Sequence, residues 1–195
     1  MAAFVTQPAP DFSATALVNG QFVDNFTLSQ FQGKKVVLFF YPLDFTFVCP
    51  TEILAFSDAI AEFKARNTEV VGVSVDSQFS HAAWANTDRK EGGIKGLGFP
   101  LVSDLNKTIA ESYGVLLPKA GIALRGLFIV NTKGILKHIT VNDNSLGRNV
   151  EEVLRVLDAV DFTEQYGEVC PANWKKGEKA MKPTADGLKA YVAGK

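Results

Sequence analysis

Two kinds of apolar pattern alternate along this chain. Val36-Val-Leu-Phe-Phe40 is the unbroken apolar part of a run over residues 35–41 that opens on Lys35 and is ended by Pro42. A run of that length is what a strand buried on both faces requires. The period then changes, with Ile53, Phe56, Ile60 and Phe63 at the spacing of one helix face, predicting a helix near 50–66. Glu69-Val-Val-Gly-Val-Ser-Val75 returns to a buried-strand pattern. Strand, helix, strand in that order is a βαβ unit, so the two strands are expected to be parallel.

Residues 80–91 predict another helix, followed by a Gly-rich connection and a further helix at about 106–113. Gly126-Leu-Phe-Ile-Val-Asn131 and residues 135–141 flank Thr132-Lys133-Gly134, an antiparallel hairpin signal. Val150, Val153, Leu154 and Leu157 share one face over 149–160, predicting a helix that covers the sheet. Residues 22–28 add an N-terminal strand or hairpin. Beyond Phe162 the chain turns to Lys, Gly, Glu and Pro, too polar for a core of its own. The reading is a single α/β domain over 1–162 with a mixed sheet. Residues 163–195 form an arm that lies on this subunit or on a partner.

The totals narrow the function. A net charge of −1 gives no electrostatic case for nucleic acid or an anionic membrane surface. No apolar run approaches the roughly 20 residues needed to span a bilayer. The opening residues lack the basic patch and apolar run of a secretory signal, so a cytoplasmic address is expected. There a disulfide is transient more often than structural. His81 and His138 are scattered relative to the cysteines without metal-ligand spacing, so no metal is expected. His81 reads as a helix-surface residue, and Trp84 and Trp174 read as packing residues, the second anchoring the arm.

Two cysteines remain, each in the same tripeptide, Val48-Cys49-Pro50 and Val169-Cys170-Pro171. One lies in an apolar stretch and one in the polar tail. Spacing alone leaves two readings open: a division of labour between an attacking and a resolving thiol, or two unrelated cysteines. Cys49 lies just past the carboxyl end of the first buried strand, where open α/β sheets place ligands. With Pro50 at the first helical position, Cys49 would be the N-cap and Glu52 the acidic member of a capping box. The sulfur would then face free backbone N–H groups and the positive end of the helix dipole, which favour thiolate.

Ionisation alone makes a modest catalyst, because nucleophilicity falls as a thiol becomes more acidic and the net gain is only about a few-fold. Large acceleration needs groups that hold the substrate and stabilise charge on its leaving atom. Three candidates follow. The hydroxyl of Thr46, three residues before Cys49, can donate and accept. Pro42 would shape the loop and shield the thiolate from water. Arg125 precedes the strand that begins at Gly126, so its guanidinium could emerge at a sheet end near the sulfur. The spacing Pro-x-x-x-Thr-x-x-Cys at a helix start is far more specific than any of its parts.

Phe39-Phe-Tyr-Pro-Leu-Asp-Phe-Thr-Phe-Val-Cys-Pro-Thr-Glu52 resembles the active-site segment of the typical two-cysteine peroxiredoxins, and Gly167-Glu-Val-Cys-Pro-Ala-Asn-Trp174 resembles their resolving segment. Val75-Asp-Ser-Gln-Phe-Ser-His81, Trp84, Arg89-Lys-Glu-Gly-Gly93 and Arg125-Gly-Leu-Phe128 match in order, so the resemblance covers nearly the whole chain. It implies a thioredoxin-like fold with a central mixed sheet flanked by helices and a C-terminal arm. It also implies reduction of hydrogen peroxide and organic hydroperoxides without a bound cofactor. Cys49 would attack the terminal peroxide oxygen and become a sulfenic acid. Thr46 and Arg125 would hold the peroxide oxygens and Pro42 would limit access. Glu52 and Arg148 would form the supporting shell. Cys170 would resolve the sulfenic acid as a disulfide with Cys49 of a partner subunit, making a homodimer that assembles into a decameric ring, with Phe79 at the ring contact. Thioredoxin or a flavoprotein disulfide reductase would restore the thiols.

The resolving step has its own physical demand. Disulfide sulfurs must come to about 2 Å, with Cα atoms within roughly 7 Å. A sheltered sulfur at a helix start cannot meet an arm residue that closely unless the first turn unwinds and the arm loosens. Two departures bear on this step: Gly92-Gly-Ile-Lys-Gly-Leu-Gly98 stands where over-oxidation-prone members carry Gly-Gly-Leu-Gly, and Tyr191-Val192 where they carry Tyr-Phe. A less firmly clamping tail lets resolution outrun over-oxidation, so intermediate to low sensitivity is expected. Other readings stay on the page: a holdase chaperone, which would need large assemblies and survive loss of Cys49, a peroxide-signalling relay, and a one-cysteine peroxidase, which would not need Cys170. A thioredoxin-type reductase wants Cys-x-x-Cys, and Cys49-Pro-Thr-Glu52 lacks its second thiol.

Overall fold

A computed structural model of the chain describes residues 3–194. They form two compact units, one up to residue 150 and one from residue 151. The first begins with a hairpin, β1 (Ser13–Val18) and β2 (Gln21–Thr27), followed by β3 (Lys35–Phe40), α1 (Cys49–Asp58), α2 (Ile60–Ala65) and β4 (Thr68–Ser74). Next come α3 (Gln78–Asn86), a 3-10 turn at Arg89–Glu91, β5 (Leu101–Ser103) and α4 (Thr108–Ser112). The short pair β6 (Leu116–Leu117) and β7 (Ile122–Ala123) precedes β8 (Arg125–Val130) and β9 (Leu136–Asn142). The second unit holds α5 (Val150–Tyr166) and α6 (Ala185–Ala193).

Seven strands make one mixed sheet in the order β2-β1-β5-β4-β3-β8-β9. β3 and β4 are parallel, as the βαβ reading requires, and β8 and β9 are the antiparallel hairpin. β3 lies between β4 and β8 and is buried along its whole length, and its alternate side chains feed two apolar layers. Val36, Leu38 and Phe40 join Tyr113 and Phe128 on one face. On the other, Phe39 stacks on Phe56 of α1 with ring centroids 4.8 Å apart. Each such side chain contributes about 1.5–3 kcal/mol when taken from water, so both faces favour this register over any one-residue slip.

The structure departs from the sequence reading in several places. The expected helix at 50–66 is two helices, interrupted at Ala59. The apolar period carries on across the break, which is why the sequence does not reveal it. The helix expected at 80–91 ends at Asn86, where Thr87 turns extended and its N–H closes on Trp84. β5 was not anticipated: three residues after Pro100 are too few to show a period. The expected helix at 149–160 runs on to Tyr166, past the change of composition at residue 162, and the polar tail carries a helix of its own, α6.

Candidate active site

Cys49 is fully buried at the start of α1, directly beyond the loop that leaves the carboxyl end of β3. Val48 is the N-cap, so Cys49 takes the first helical position and Pro50 the second. This corrects the expected cap by one residue. Val48 carbonyl accepts the Glu52 N–H at 3.3 Å, so Glu52 closes the first turn and is not part of a capping box. Its carboxylate serves two arginines.

Arg125, the first residue of β8, places Nη1 3.4 Å from Cys49 Sγ and 2.5 Å from Glu52 Oε2. Its other edge is fixed by the Asn144 carbonyl, which accepts from Nε at 3.0 Å and Nη2 at 2.8 Å. Arg148 grips the same carboxylate in a fork, Nε to Oε1 at 2.7 Å and Nη2 to Oε2 at 2.9 Å, and adds its backbone N–H to Oε1 at 2.9 Å. Arg148 Nη1 donates to the carbonyls of Phe40 and Gly126, both at 2.8 Å, tying the end of β3 to the start of β8. Gly126 is required there, because a Cβ would fall 2.6 Å from Val115 Cγ1 and 2.9 Å from the Phe128 ring. Burial lowers the proton affinity of the Arg148 guanidinium, with Glu52 opposing that effect. Two guanidiniums against one carboxylate leave this buried cluster one positive charge in excess, and Sγ is among the groups that Arg125 faces.

The loop that carries Thr46 is fixed from below. Tyr41 donates its hydroxyl to Asp44 Oδ1 at 2.9 Å, His81 Nδ1 meets Asp44 Oδ2 at 2.8 Å, and the Asp44 N–H donates to Asp76 Oδ2 at 2.9 Å. Burial and the neighbouring Asp44 charge push the Asp76 carboxyl up. Phe45 has φ of 51°, a left-handed conformation that costs a non-glycine residue about 1–2 kcal/mol, and its ring lies 5.7 Å from Trp84. Within this loop Pro42 is buried and Thr46 is half-buried. The Thr46 hydroxyl donates to the Leu43 carbonyl at 2.9 Å, which leaves its lone pairs as acceptors.

The structure thus joins Cys49, Glu52, Arg125 and Arg148 by direct contacts, and sets Pro42 and Thr46 in the same loop. Cys170 belongs to the second unit, where its sulfur lies 4.0 Å from the Ala159 carbonyl of α5. Burial pushes the Cys170 thiol up, and Arg155 opposes that shift. His81 is not on a helix surface: it is fully buried and bonded to Asp44. Tyr41, Asp44 and Asp76 were not singled out from sequence. Their signal was polar residues at the ends of two adjacent parallel strands, since Phe40 pairs with Val73 and Tyr41 N–H bonds the Val73 carbonyl. Among the described residues no group of three His, Cys, Asp or Glu could hold a metal ion, and no helix is long and apolar enough to cross a membrane.

Residues 5–139 match the AhpC/TSA family, and residues 159–194 match the C-terminal domain of 1-Cys peroxiredoxin. Peroxiredoxin-2 of Rattus norvegicus is 56% identical over 191 residues, 98% of this chain and 96% of the relative. A putative peroxiredoxin of Synechocystis is 58% identical over 96% of this chain and 94% of the relative. The reduced 2-Cys peroxiredoxin of Plasmodium vivax superposes with a TM-score of 0.94 at 44% identity, covering 98% of this chain and 99% of that one. The mixed sheet flanked by helices is accordingly a thioredoxin-like fold. With a buried cysteine under an arginine at a helix start, and likeness over nearly its whole length, the chain belongs to the AhpC/TSA family and is a peroxiredoxin, a thiol peroxidase.

Proposed function

We propose that Cys49 is the peroxidatic cysteine and that it reduces hydrogen peroxide and organic hydroperoxides. The observation that carries this is Arg125 Nη1 on Cys49 Sγ at 3.4 Å, with the guanidinium locked by Glu52 and Asn144. The thiolate attacks the terminal peroxide oxygen. The S–O bond forms as the O–O bond breaks, sulfur is oxidised to the sulfenic state, and the departing oxygen leaves as water or an alcohol after protonation. Arg125 holds the substrate oxygens and stabilises the negative charge that builds on the leaving oxygen. Thr46 accepts a hydrogen bond from the substrate O–H, its own proton being committed to Leu43. Pro42 keeps water from the sulfur. Glu52 and Arg148 position Arg125 and touch no substrate.

Cys170 then attacks the sulfenic sulfur of a partner subunit, forming an intersubunit disulfide and releasing water. Residues 163–195 act as the exchanged arm. A thioredoxin-like protein or a flavoprotein disulfide reductase restores both thiols. The working unit is a homodimer, and the exposed, edge-to-face pair Phe22 and Phe79, 5.3 Å between centroids, supports a further contact that closes dimers into a decameric ring. The proposed setting is the cytoplasm, in antioxidant defence. One equivalent of peroxide followed by a non-reducing gel tests the cycle. A band at twice the 21.2 kDa chain mass is expected, absent in both Cys49→Ser and Cys170→Ser. A band that persists in either variant would refute this pairing.

A further inference from the structure

Cys170 stands in a loop that the second unit closes upon itself. Val169 and Met181 exchange both backbone hydrogen bonds, Val169 N–H at 2.9 Å and Met181 N–H at 3.2 Å, so residues 169–181 form a ring pinned at its neck. Inside it Trp174 is fully buried, its ring 5.0 Å from Phe162 of α5 and its Nε1 donating to the Glu178 carbonyl at 3.1 Å. Two polar side chains of α5 also reach this loop, Asp158, whose Oδ1 lies 3.8 Å from the exposed Lys176 Nζ, and Arg155. Arg155 Nη1 donates to the Trp174 carbonyl at 2.8 Å, while Glu152, one turn earlier, holds Arg155 Nε and Nη2 at 2.6 and 2.7 Å and so fixes its direction. Ala159, whose carbonyl lies against the Cys170 sulfur, is one turn further along the same helix face. The loop is therefore held to α5 at the cysteine end, at the tryptophan and, by a long exposed ion pair, at Lys176.

We propose that Arg155 is a positioning residue for the resolving step: it latches the 170–174 turn onto α5 and sets how fast Cys170 is released to attack the sulfenic acid. This rests on the reading of Cys170 as the resolving cysteine. The step itself balances without further reagents. The Cys170 sulfur bonds to the sulfenic sulfur, the S–O bond breaks, and the thiol proton leaves with the hydroxyl as water. Before the sulfurs can meet, the turn must leave α5, and the Arg155–Trp174 bond is among those that must break. A hydrogen bond from a charged donor is stronger than a neutral one. Arg155 and Glu152 are partly solvent-exposed, at 30% and 53%, which reduces the gain from removing the bond to about threefold in release.

The test is rapid-mixing kinetics on the full-length protein, with the sulfenic acid formed by one equivalent of peroxide and disulfide formation followed as a separate phase. Arg155→Met is expected to speed the disulfide phase about threefold and to raise the peroxide dose that inactivates half the enzyme. The rate of the first oxidation stays unchanged, because Arg155 lies outside the peroxide site. Glu152→Gln, which leaves the arginine present but poorly aimed, is expected to give part of the same gain, and Arg155→Lys to restore most of the slow phase. A disulfide phase that is unchanged or slower in both Arg155→Met and Glu152→Gln overturns the latch. If the wild-type protein forms no disulfide, or Cys170→Ser still forms one, the reading of Cys170 fails and the latch with it.

Discussion

Glu52 and Arg148 meet fork to fork at the base of α1, Nε to Oε1 at 2.7 Å and Nη2 to Oε2 at 2.9 Å, with both side chains 3% exposed. A carboxylate so thoroughly desolvated is tolerable only because every lone-pair direction finds a donor. The pair has a second use. By bonding the carbonyls of Phe40 and Gly126 as well, Arg148 fixes the carboxylate relative to two strand ends, and the carboxylate in turn fixes Arg125.

Removing the charge from Glu52 separates these uses from simple packing. Glu52→Gln keeps size and one carbonyl acceptor but leaves two buried guanidiniums without an anion. Stability in urea is expected to fall by about 3 kcal/mol, the usual order for breaking a buried pair from one side. Peroxide reactivity is expected to fall with it, since Arg125 loses the group that aims it. Unfolding curves together with second-order rate constants check both. An unchanged stability would mean that the folded protein does not need the Glu52 charge to hold the two guanidiniums.

Arg125→Met takes away the donor that faces the sulfur. Loss of one preorganised donor to developing oxyanion charge costs about 100-fold to 1000-fold in rate. The second-order rate constant for peroxide is expected to drop by that order, while alkylation of Cys49 by a neutral reagent changes far less. Equal losses in both reactions would place the role of Arg125 in exposing the thiol and not in stabilising the transition state.

Much of this cluster was legible in the sequence, for reasons that can be named. Buried strands announce themselves by unbroken apolar runs, so β3, β4 and β8 were placed nearly to the residue, and with them the sheet ends where Cys49 and Arg125 emerge. Contacts between residues far apart in sequence were not legible. His81 sits on a short helix, and its burial is made tolerable by two distant partners, the Asp44 carboxylate at Nδ1, 37 residues away, and the Val102 carbonyl at Nε2. Seven described non-glycine residues have positive φ, and Phe45 among them carries no turn signal at all. Its strain is set by the network under the loop. The Asn144 carbonyl that steadies Arg125 left no trace either, because a backbone acceptor has no side-chain signature.

The Cys170 thiol carries a pH dependence whose sign follows from its burial. Burial raises its proton affinity above the ordinary value of 9.0, with Arg155 only partly offsetting this. The docked turn therefore binds the proton more firmly than the released turn. Docking is at full strength below the free thiol's value and weakens as pH rises through it and on toward the docked value. Hydrogen exchange at the amides of residues 169–181, corrected for intrinsic rates, is expected to speed up relative to α5 above about pH 9. Cys170→Ser should abolish that rise. A rise that persists in the serine variant would assign it to another group.

The first turn of α1 is the other element that must give way. Cys49 Sγ is fully buried beneath the Arg125 guanidinium, and the turn is closed by Glu52 N–H on the Val48 carbonyl at 3.3 Å, a long bond. Pro50 has no N–H to contribute, so residues 49–52 are held by this bond, by the Thr51 hydroxyl donating to the same Val48 carbonyl at 2.6 Å, and by Glu52's arginines. Disulfide formation with a partner's Cys170 needs Cα atoms within roughly 7 Å, and an intact turn keeps the sulfur inside the pocket. Oxidation to the disulfide is therefore expected to unwind the first turn, seen as loss of amide protection at Glu52, while α2 and β4 keep theirs. The sulfenic state trapped in Cys170→Ser should retain the protection of the reduced enzyme. A disulfide form whose first turn remains fully protected would show that the arm reaches the sulfur by another route.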